Sequence, residues 1–315
     1  MIANTVLLTS GLLITSQIAP DLVFSVDFEN RAANSAYTEA QLIADFNANK
    51  NDGVIHGPDY GNTRIVPDPE GTARQGNVLR SRHRAGQFGI AVTFKARFAP
   101  DNENKSGSAR YDDVYLSYDI YLSKHTERMP YHKIPGMITG TLLEASHYGT
   151  YKNPISHAAP EGVKSFTAYL QMFNSAVYSN RPDGVLSVTY YDAERTQKMN
   201  FLDTVNPTKE STENPYVMPL GEWVTIEERV KMNTADGNDA YTPSVDLKDG
   251  LVEVWINGTK MLSKVHLWRH TDTMKVDGFW FRDYYNARSD LTSPPSNDQY
   301  VYYDNFKVST SPLTH

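Results

Sequence analysis

Four short stretches carry side chains able to move a proton or meet an anion. "YHKIPGMITG", residues 131–140, sets His132 and Lys133 directly before Ile134-Pro135-Gly136. "SFTAYLQMFN" carries Thr167, Tyr169 and Gln171 at alternate positions. "GVLSVTYYDAE" carries adjacent Tyr190 and Tyr191, and "FWFRDYYNARSD" carries Arg282. Tyr, His and Lys serve as general base or acid when their pKa is tuned. Arg pairs with a carboxylate through two parallel N–H bonds, and Lys, Arg or Gln steadies charge as it builds. With His147 and His157, this inventory suits removal of the weakly acidic C5 proton of a uronic-acid unit. Elimination of the glycosidic oxygen would follow, with no metal or nucleotide needed.

The bland alternatives stand beside each candidate. A Tyr and a Gln on one strand face also suit a solvent-facing sheet. Arg282 also suits a structural ion pair, and the adjacent tyrosines also suit packing. A basic cleft for a polyanion has a second candidate in "LRSRHR" (Arg80, Arg82, His83, Arg84), which also reads as a solvated strand edge. A glycosidase would need two carboxylates at a set separation. "TIEERV" supplies Glu227 and Glu228, but adjacent strand residues point to opposite faces. Phosphate-loop, H-E-x-x-H and G-x-S-x-G motifs are absent from the sequence. No cofactor is required by this chemistry. A structural calcium on Asp27, Glu29 and Asp304 is expected only if the first and last strands pair.

These residues must be held by strands. "DDVYLSYDIYLS" puts Val114, Leu116, Tyr118 and Ile120 on one face and Tyr115, Ser117, Asp119 and Tyr121 on the other. "WVTIEERVKMN" groups Val224, Ile226, Val230 and Met232. "GLVEVWINGTKML" reads as a hairpin about Asn257-Gly258. In the site strands, parity places Ala168, Leu170 and Met172 inside, with Tyr169, Gln171 and Phe173 opposite. Leu186, Val188 and Tyr190 point inward, which favours Tyr191 for the outer face unless a bulge swaps the two. Phe279 and Phe281 point in, Trp280 and Arg282 out. A helix is expected over residues 37–50, with Leu42, Ile43 and Phe46 on one face. Many strands and scarce helix predict a two-sheet antiparallel jelly-roll sandwich with one concave, ligand-bearing sheet. Ile134-Pro135-Gly136 reads as a stiff turn, Pro fixing φ and Gly permitting a reversal.

The bulk composition narrows the class. Of 315 residues, 40% are hydrophobic and 21% charged, enough for one large all-β domain, expected over 23–315. A net charge of −7 argues against a nucleic-acid partner, and the twenty Tyr, twelve Phe and four Trp suit surfaces that stack on sugar rings. With no cysteine, disulfides and thiolate metal sites are excluded. Residues 1–22 lack a positive segment before their apolar middle, so they read as a poor leader or a first strand. No stretch is apolar enough to cross a membrane as a helix, and a monomer is expected.

The order "DVYLSYDIYLS", "KIPGM", "GEWVTIEERVKMNT", "GLVEVWINGTKM" and "YVYYDNFKVS", over roughly residues 75–309, resembles the alginate lyases of polysaccharide lyase family 14. It is also similar to the related glucuronan lyases. The resemblance implies a jelly roll whose cleft binds acidic polysaccharide and cleaves it by β-elimination, outside the cell or in the periplasm. The family's functional Lys matches Lys133, in the same Lys-x-Pro-Gly segment. The family's catalytic Tyr-x-Tyr strand corresponds to Thr189-Tyr190-Tyr191, which leaves one tyrosine of the pair, Tyr191. Thr167-Ala168-Tyr169 stands where the family has Ser-x-Arg. Gln171, His147 or Arg282 would then take over the missing carboxylate contact, with His132, Arg84 and Thr167 as further substrate-binding candidates. The rival reading is a non-catalytic carbohydrate-binding domain on the same fold.

Overall fold

The computed structural model describes residues 21–48, 55–67, 69–72, 76–98, 109–128, 131–140, 165–191, 197–208, 213–235, 247–270, 272, 274–286 and 293–313. For 137–140, 165–167, 191, 197 and 198 it describes the backbone alone. His147, His157 and residues 1–20 lie outside the described residues.

The strands, in chain order, are β1 (Leu22–Val26), β2 (Thr63–Pro67), β3 (Asn77–His83), β4 (Gly89–Arg97), β5 (Asp113–Leu122), β6 (Tyr131–Lys133), β7 (Gly136–Gly140), β8 (Ser165–Phe173) and β9 (Val185–Tyr191). They continue with β10 (Gln197–Phe201), β11 (Trp223–Lys231), β12 (Gly250–Ile256), β13 (Thr259–His266), β14 (Val276–Asn286) and β15 (Gln299–Ser309). They form two antiparallel sheets. One runs β13-β12-β11-β5-β15-β3-β2, with β1 also on β15; the other runs β10-β9-β8-β6-β14-β4, with β7 also between β14 and β8. This is the expected jelly-roll sandwich. No described helix is long and apolar enough to cross a membrane.

Alternation on the central strands builds the core. Leu116, Tyr118 and Ile120 of β5, Ile226 of β11, Leu170 of β8 and Phe279 and Phe281 of β14 all point between the sheets, buried. The expected helix is α1 (Glu39–Phe46), shorter than its sequence window. Thr38 caps it, and Gln41 returns a bond to the Thr38 backbone, a reciprocal capping box. Leu42 and Phe46 enter the core, and Ile43 packs half-buried against it. Phe306 sits at the centre of an aromatic cluster. Its ring meets Phe279 at 5.9 Å, Phe281 at 5.4 Å, Phe46 at 5.5 Å and Tyr118 at 5.3 Å, joining the two sheets to the helix. Asn257 and Gly258 both have positive φ, as a two-residue hairpin turn with the strands' twist demands.

The Ile134-Pro135-Gly136 segment differs from expectation. It is not a reversal. β6 and β7 run in the same direction, and both pair with β14 on one side and β8 on the other. They are one strand broken at its middle. Proline has no N–H to give the ladder, so a central strand must interrupt itself there. The break is held from both sheets: Ile134 N–H donates to Leu170 O at 3.1 Å, and the Tyr118 hydroxyl donates to Pro135 O at 2.9 Å.

Phe306→Ala is expected to cost about 3–5 kcal/mol, read as a lower urea midpoint at unchanged slope. A loss under ~1 kcal/mol would mean that the cluster collapses around the gap.

Candidate functional site

Lys133 closes β6 with its side chain on the outer face of the second sheet. It lies opposite Gln171 of β8 and Tyr284 of β14. Its Nζ stands 5.5 Å from the Tyr169 ring centre and 5.3 Å from that of Tyr284. The Arg282 guanidinium lies 5.0 Å from the Tyr169 ring centre and 4.0 Å from that of Trp280. Ring and cation therefore alternate across the face: Trp280, Arg282, Tyr169, Lys133, Tyr284. Trp280 is oriented by its indole N–H, which donates to Thr93 Oγ1 at 2.7 Å.

Burial pushes the Lys133 amine down to about 7, and the positive Arg282 pushes it further the same way. Near neutral pH a substantial fraction is thus a free amine. Arg282 remains a cation, because a guanidinium does not deprotonate in proteins. One ordinary cation and one poised amine flanking a phenol form a site that attracts an anion and can accept a proton.

Gly136 sets the spacing. A Cβ placed there would lie 2.5 Å from Ala168 O and closer still to the Tyr169 Cα. Its φ is not positive, so the glycine serves close approach of the broken strand to β8 rather than a reversal.

Several expected site residues are placed elsewhere. His132, next to Lys133, turns inward as strand alternation requires. Its Nε2 lies 2.7 Å from Asp283 Oδ1, and His83 Nε2 lies 2.6 Å from the same oxygen. The Tyr285 ring stacks on His83 at 3.6 Å. Burial lowers the His132 pKa. Burial alone would raise the Asp283 carboxyl, but the charge of His83 and the two imidazole N–H bonds hold it well below the usual range. These three are the ligand-type side chains that converge among the described residues. Their separations are hydrogen-bond lengths, shorter than the roughly 3.3 Å that two donors keep on one tetrahedral ion. His132 is thus an interior residue that anchors β6 to β14 and β3.

Tyr190 is also interior. Its ring meets His266 at 4.4 Å and Trp268 at 5.6 Å, and the Asn200 amide donates to its hydroxyl. Tyr191, of which the backbone alone is described, closes β9. Before it on β9, Tyr190 pairs with Ala168, Thr189 with Tyr169 and Ser187 with Gln171. Tyr191 therefore lies four residues, ~14 Å along the strand, from the Lys133–Gln171 row. Tyr169 and Tyr284 are the tyrosines whose rings flank the Lys133 amine among the described side chains. Arg84 is held by Asn62 Oδ1 at 3.2 Å and by the Tyr60 carbonyl, beyond β3 of the other sheet. Asp27, Glu29 and Asp304 do not converge although β1 and β15 pair: Glu29 accepts from Asn77 N and Asp304 from Asn305 N. Glu228 points into the core and Glu227 away from it, as alternation predicts. Tyr284 was not singled out from sequence, although extending the Trp280–Arg282 alternation by two residues reaches it.

Solved structures similar to this fold include polysaccharide lyases. The chain matches the alginate lyase Aly36B, solved with an alginate tetrasaccharide, with a TM-score of 0.62 and 16% identity over 93% of this chain and 98% of the other. It matches the marine PL-14 alginate lyase of Aplysia kurodai with a TM-score of 0.59 and 16% identity, covering 92% and 99%. It matches the endo-β-1,4-glucuronan lyase of the fungus Trichoderma reesei with a TM-score of 0.52 and 11% identity, covering 92% and 96%. No protein-family model matches the sequence, and no curated protein matches it. At these identities the likeness is one of fold, the fold in which alginate and glucuronan lyases are built.

Gly136→Ala is expected to force β8 away from the broken strand and cost about 1–3 kcal/mol. The check is thermal unfolding of the variant beside wild type. An unchanged melting temperature would show that the two strands separate freely there.

Proposed function

We propose that the protein is a polysaccharide lyase that cleaves a uronic-acid-containing polysaccharide of the alginate or glucuronan kind by β-elimination. The observation that carries this reading is the placement of Lys133 and Arg282 on either side of Tyr169, with the Lys133 amine brought down to about 7. Arg282 takes the uronate carboxylate and withdraws its charge, which acidifies the neighbouring C5–H, and Gln171, opposite Lys133, adds a polar group to the same face. The free amine of Lys133 removes the C5 proton. The electron pair of that C–H bond forms the C4–C5 double bond as the C4–O bond breaks. The Tyr169 phenol gives its proton to the departing oxygen. The products are a shortened chain and an unsaturated uronate end.

A glycosidase reading finds no support on this face. Its described strand residues carry Thr93, Lys95, Lys133, Tyr169, Gln171, Ser187, Thr189, Trp280, Arg282 and Tyr284, and no carboxylate. Lys133, Tyr169 and Arg282 all come from one chain, so a monomer suffices, and a polymeric substrate suits action outside the cytoplasm.

Incubation with alginate, glucuronan, glycosaminoglycans and neutral glucans tests the reading through the ultraviolet absorbance of the unsaturated product. Absorbance should rise with at least one uronate polymer, and silence with all of them would sink the lyase proposal. Lys133→Ala should lower turnover by about 10²–10⁴-fold with the fold intact, whereas a binding module has no turnover to lose. Because the base must be unprotonated, kcat/KM should rise with pH through about 7. Arg282→Gln removes the cation that disfavours protonation of Lys133, so any residual activity should rise at higher pH. A profile that falls through 7 would instead assign Lys133 a charged role.

A further inference from the structure

Two ionisable side chains that the elimination does not use share strands with those that it does. His132 precedes Lys133 on β6, and Asp283 stands between Arg282 and Tyr284 on β14. Both turn inward and are buried, as is His83 of β3 in the other sheet. His132 pairs across the ladder with Tyr285, so Asp283, two residues along β14, is its diagonal neighbour on the inner face. The 2.7 Å contact of His132 Nε2 with Asp283 Oδ1 therefore joins the strand of Lys133 to the strand of Arg282. The Tyr285 ring lies against both imidazoles, edge-on to His132 at 4.5 Å and stacked on His83 at 3.6 Å.

The backbone alone holds β6 weakly. The strand has three residues, and the Ile134-Pro135 break ends it. Three ladder pairs join it to β14: Tyr131 with Asn286, His132 with Tyr285 and Lys133 with Tyr284. The other edge of β14 is irregular at the same place, because its pairing with β4 skips Ala91 between Asp283 and Tyr284. A slip of β6 by one residue would turn His132 out and Lys133 in, since strand side chains alternate with period two. It would also take a partner from a fully buried carboxylate. Although burial opposes it, His83 and His132 keep Asp283 ionised. A hydrogen bond to a charge is about twice as strong as one between neutral groups. Tyr285 and Tyr303 also act on or feel this carboxylate, while Arg128 acts on His132 and Glu127 on Tyr285. None of these four belongs to β6, so His132 is the side chain through which β6 holds Asp283.

We infer that His132 and Asp283 are positioning residues for the elimination: their bond fixes the register of β6 and so keeps the Lys133 amine beside the Tyr169 and Tyr284 rings. His83, on the same oxygen, ties the pair to the other sheet and does not aim Lys133. The catalytic consequence rests on the lyase reading; the placement of the amine does not.

The test compares His132→Leu with His83→Leu in the full chain. Each removes one imidazole from Asp283 Oδ1, so both should melt at a lower temperature. Only His132→Leu should move Lys133. The Lys133 midpoint is read from the pH dependence of its labelling by acetic anhydride, by mass spectrometry of the peptide that contains it. Wild type and His83→Leu should both show a midpoint near 7. In His132→Leu the midpoint should rise by about one pH unit or more, toward the ordinary 10.5, as the amine leaves its dry setting. On a uronate polymer that wild type cleaves, kcat should fall about 10-fold or more in His132→Leu, with a smaller change in KM, and should hold in His83→Leu. His132→Gln returns an N–H to the position, and should restore the midpoint near 7 and most of the turnover. His132→Met and His83→Met, which also lack the N–H, stand in where the leucine variants do not fold. An unmoved Lys133 midpoint in the His132 variant, or an equal rise in the His83 variant, would overturn the inference. Absence of cleavage by wild type would count against the lyase reading alone, and the Lys133 midpoint would still decide the inference.

Discussion

A proline in a central strand is the constraint on which the site depends. Pro135 has no N–H, so the strand between β14 and β8 cannot keep a continuous ladder. It breaks into β6 and β7, and the break is stabilised by groups on both sheets. Tyr118 reaches across the sandwich to the Pro135 carbonyl, and Ile134, fully buried, bonds to Leu170. The last residue before the break is Lys133, and the first paired residue after it is Gly136, which lets β8 come close. The interruption thus places an amine beside Tyr169, in surroundings dry enough to lower its pKa.

Burial acts with opposite sign on the two kinds of ionisable group in this sandwich. It pushes the Lys133 amine down to about 7 and the Glu227 acid up to about 8. Both groups are thereby moved toward the neutral form near pH 7, on the outer faces of opposite sheets. Asp283 shows the contrary case. It is fully buried yet remains a carboxylate, because His83 and His132 both turn their Nε2 toward one of its oxygens. Ionisation inside the fold follows from which partners arrive, not from depth alone. That buried bond set ties β3 of one sheet to β6 and β14 of the other, just beneath Lys133.

Strand alternation made much of this legible. Ala168, Leu170 and Met172 are inside as their spacing demands, as are Leu186, Val188, Phe279 and Phe281. The same rule turned Glu227 and Glu228 to opposite faces and His132 away from Lys133. It also marked Tyr190 as interior, while the repeated tyrosine kept it among the candidates. The Pro135-Gly136 pair reads as a reversal from sequence because that dipeptide usually marks one. Whether a chain turns or continues past it depends on which strands lie on each side, and those come from β8 and β14, far along the sequence.

The sequence by itself determined the two-sheet architecture, the inward face of most strands, and the residue types available for proton transfer. Those follow from local periodicity and composition. Only the tertiary structure decided that Tyr169 meets Lys133 while Tyr190 packs inside, and that Arg282 joins them while Arg84 is held elsewhere. It also decided that Asp27, Glu29 and Asp304 do not form one site although their strands pair. The physical reason is register. A strand's own alternation tells which face a side chain takes, but its position along that face is set by pairing with strands remote in the chain.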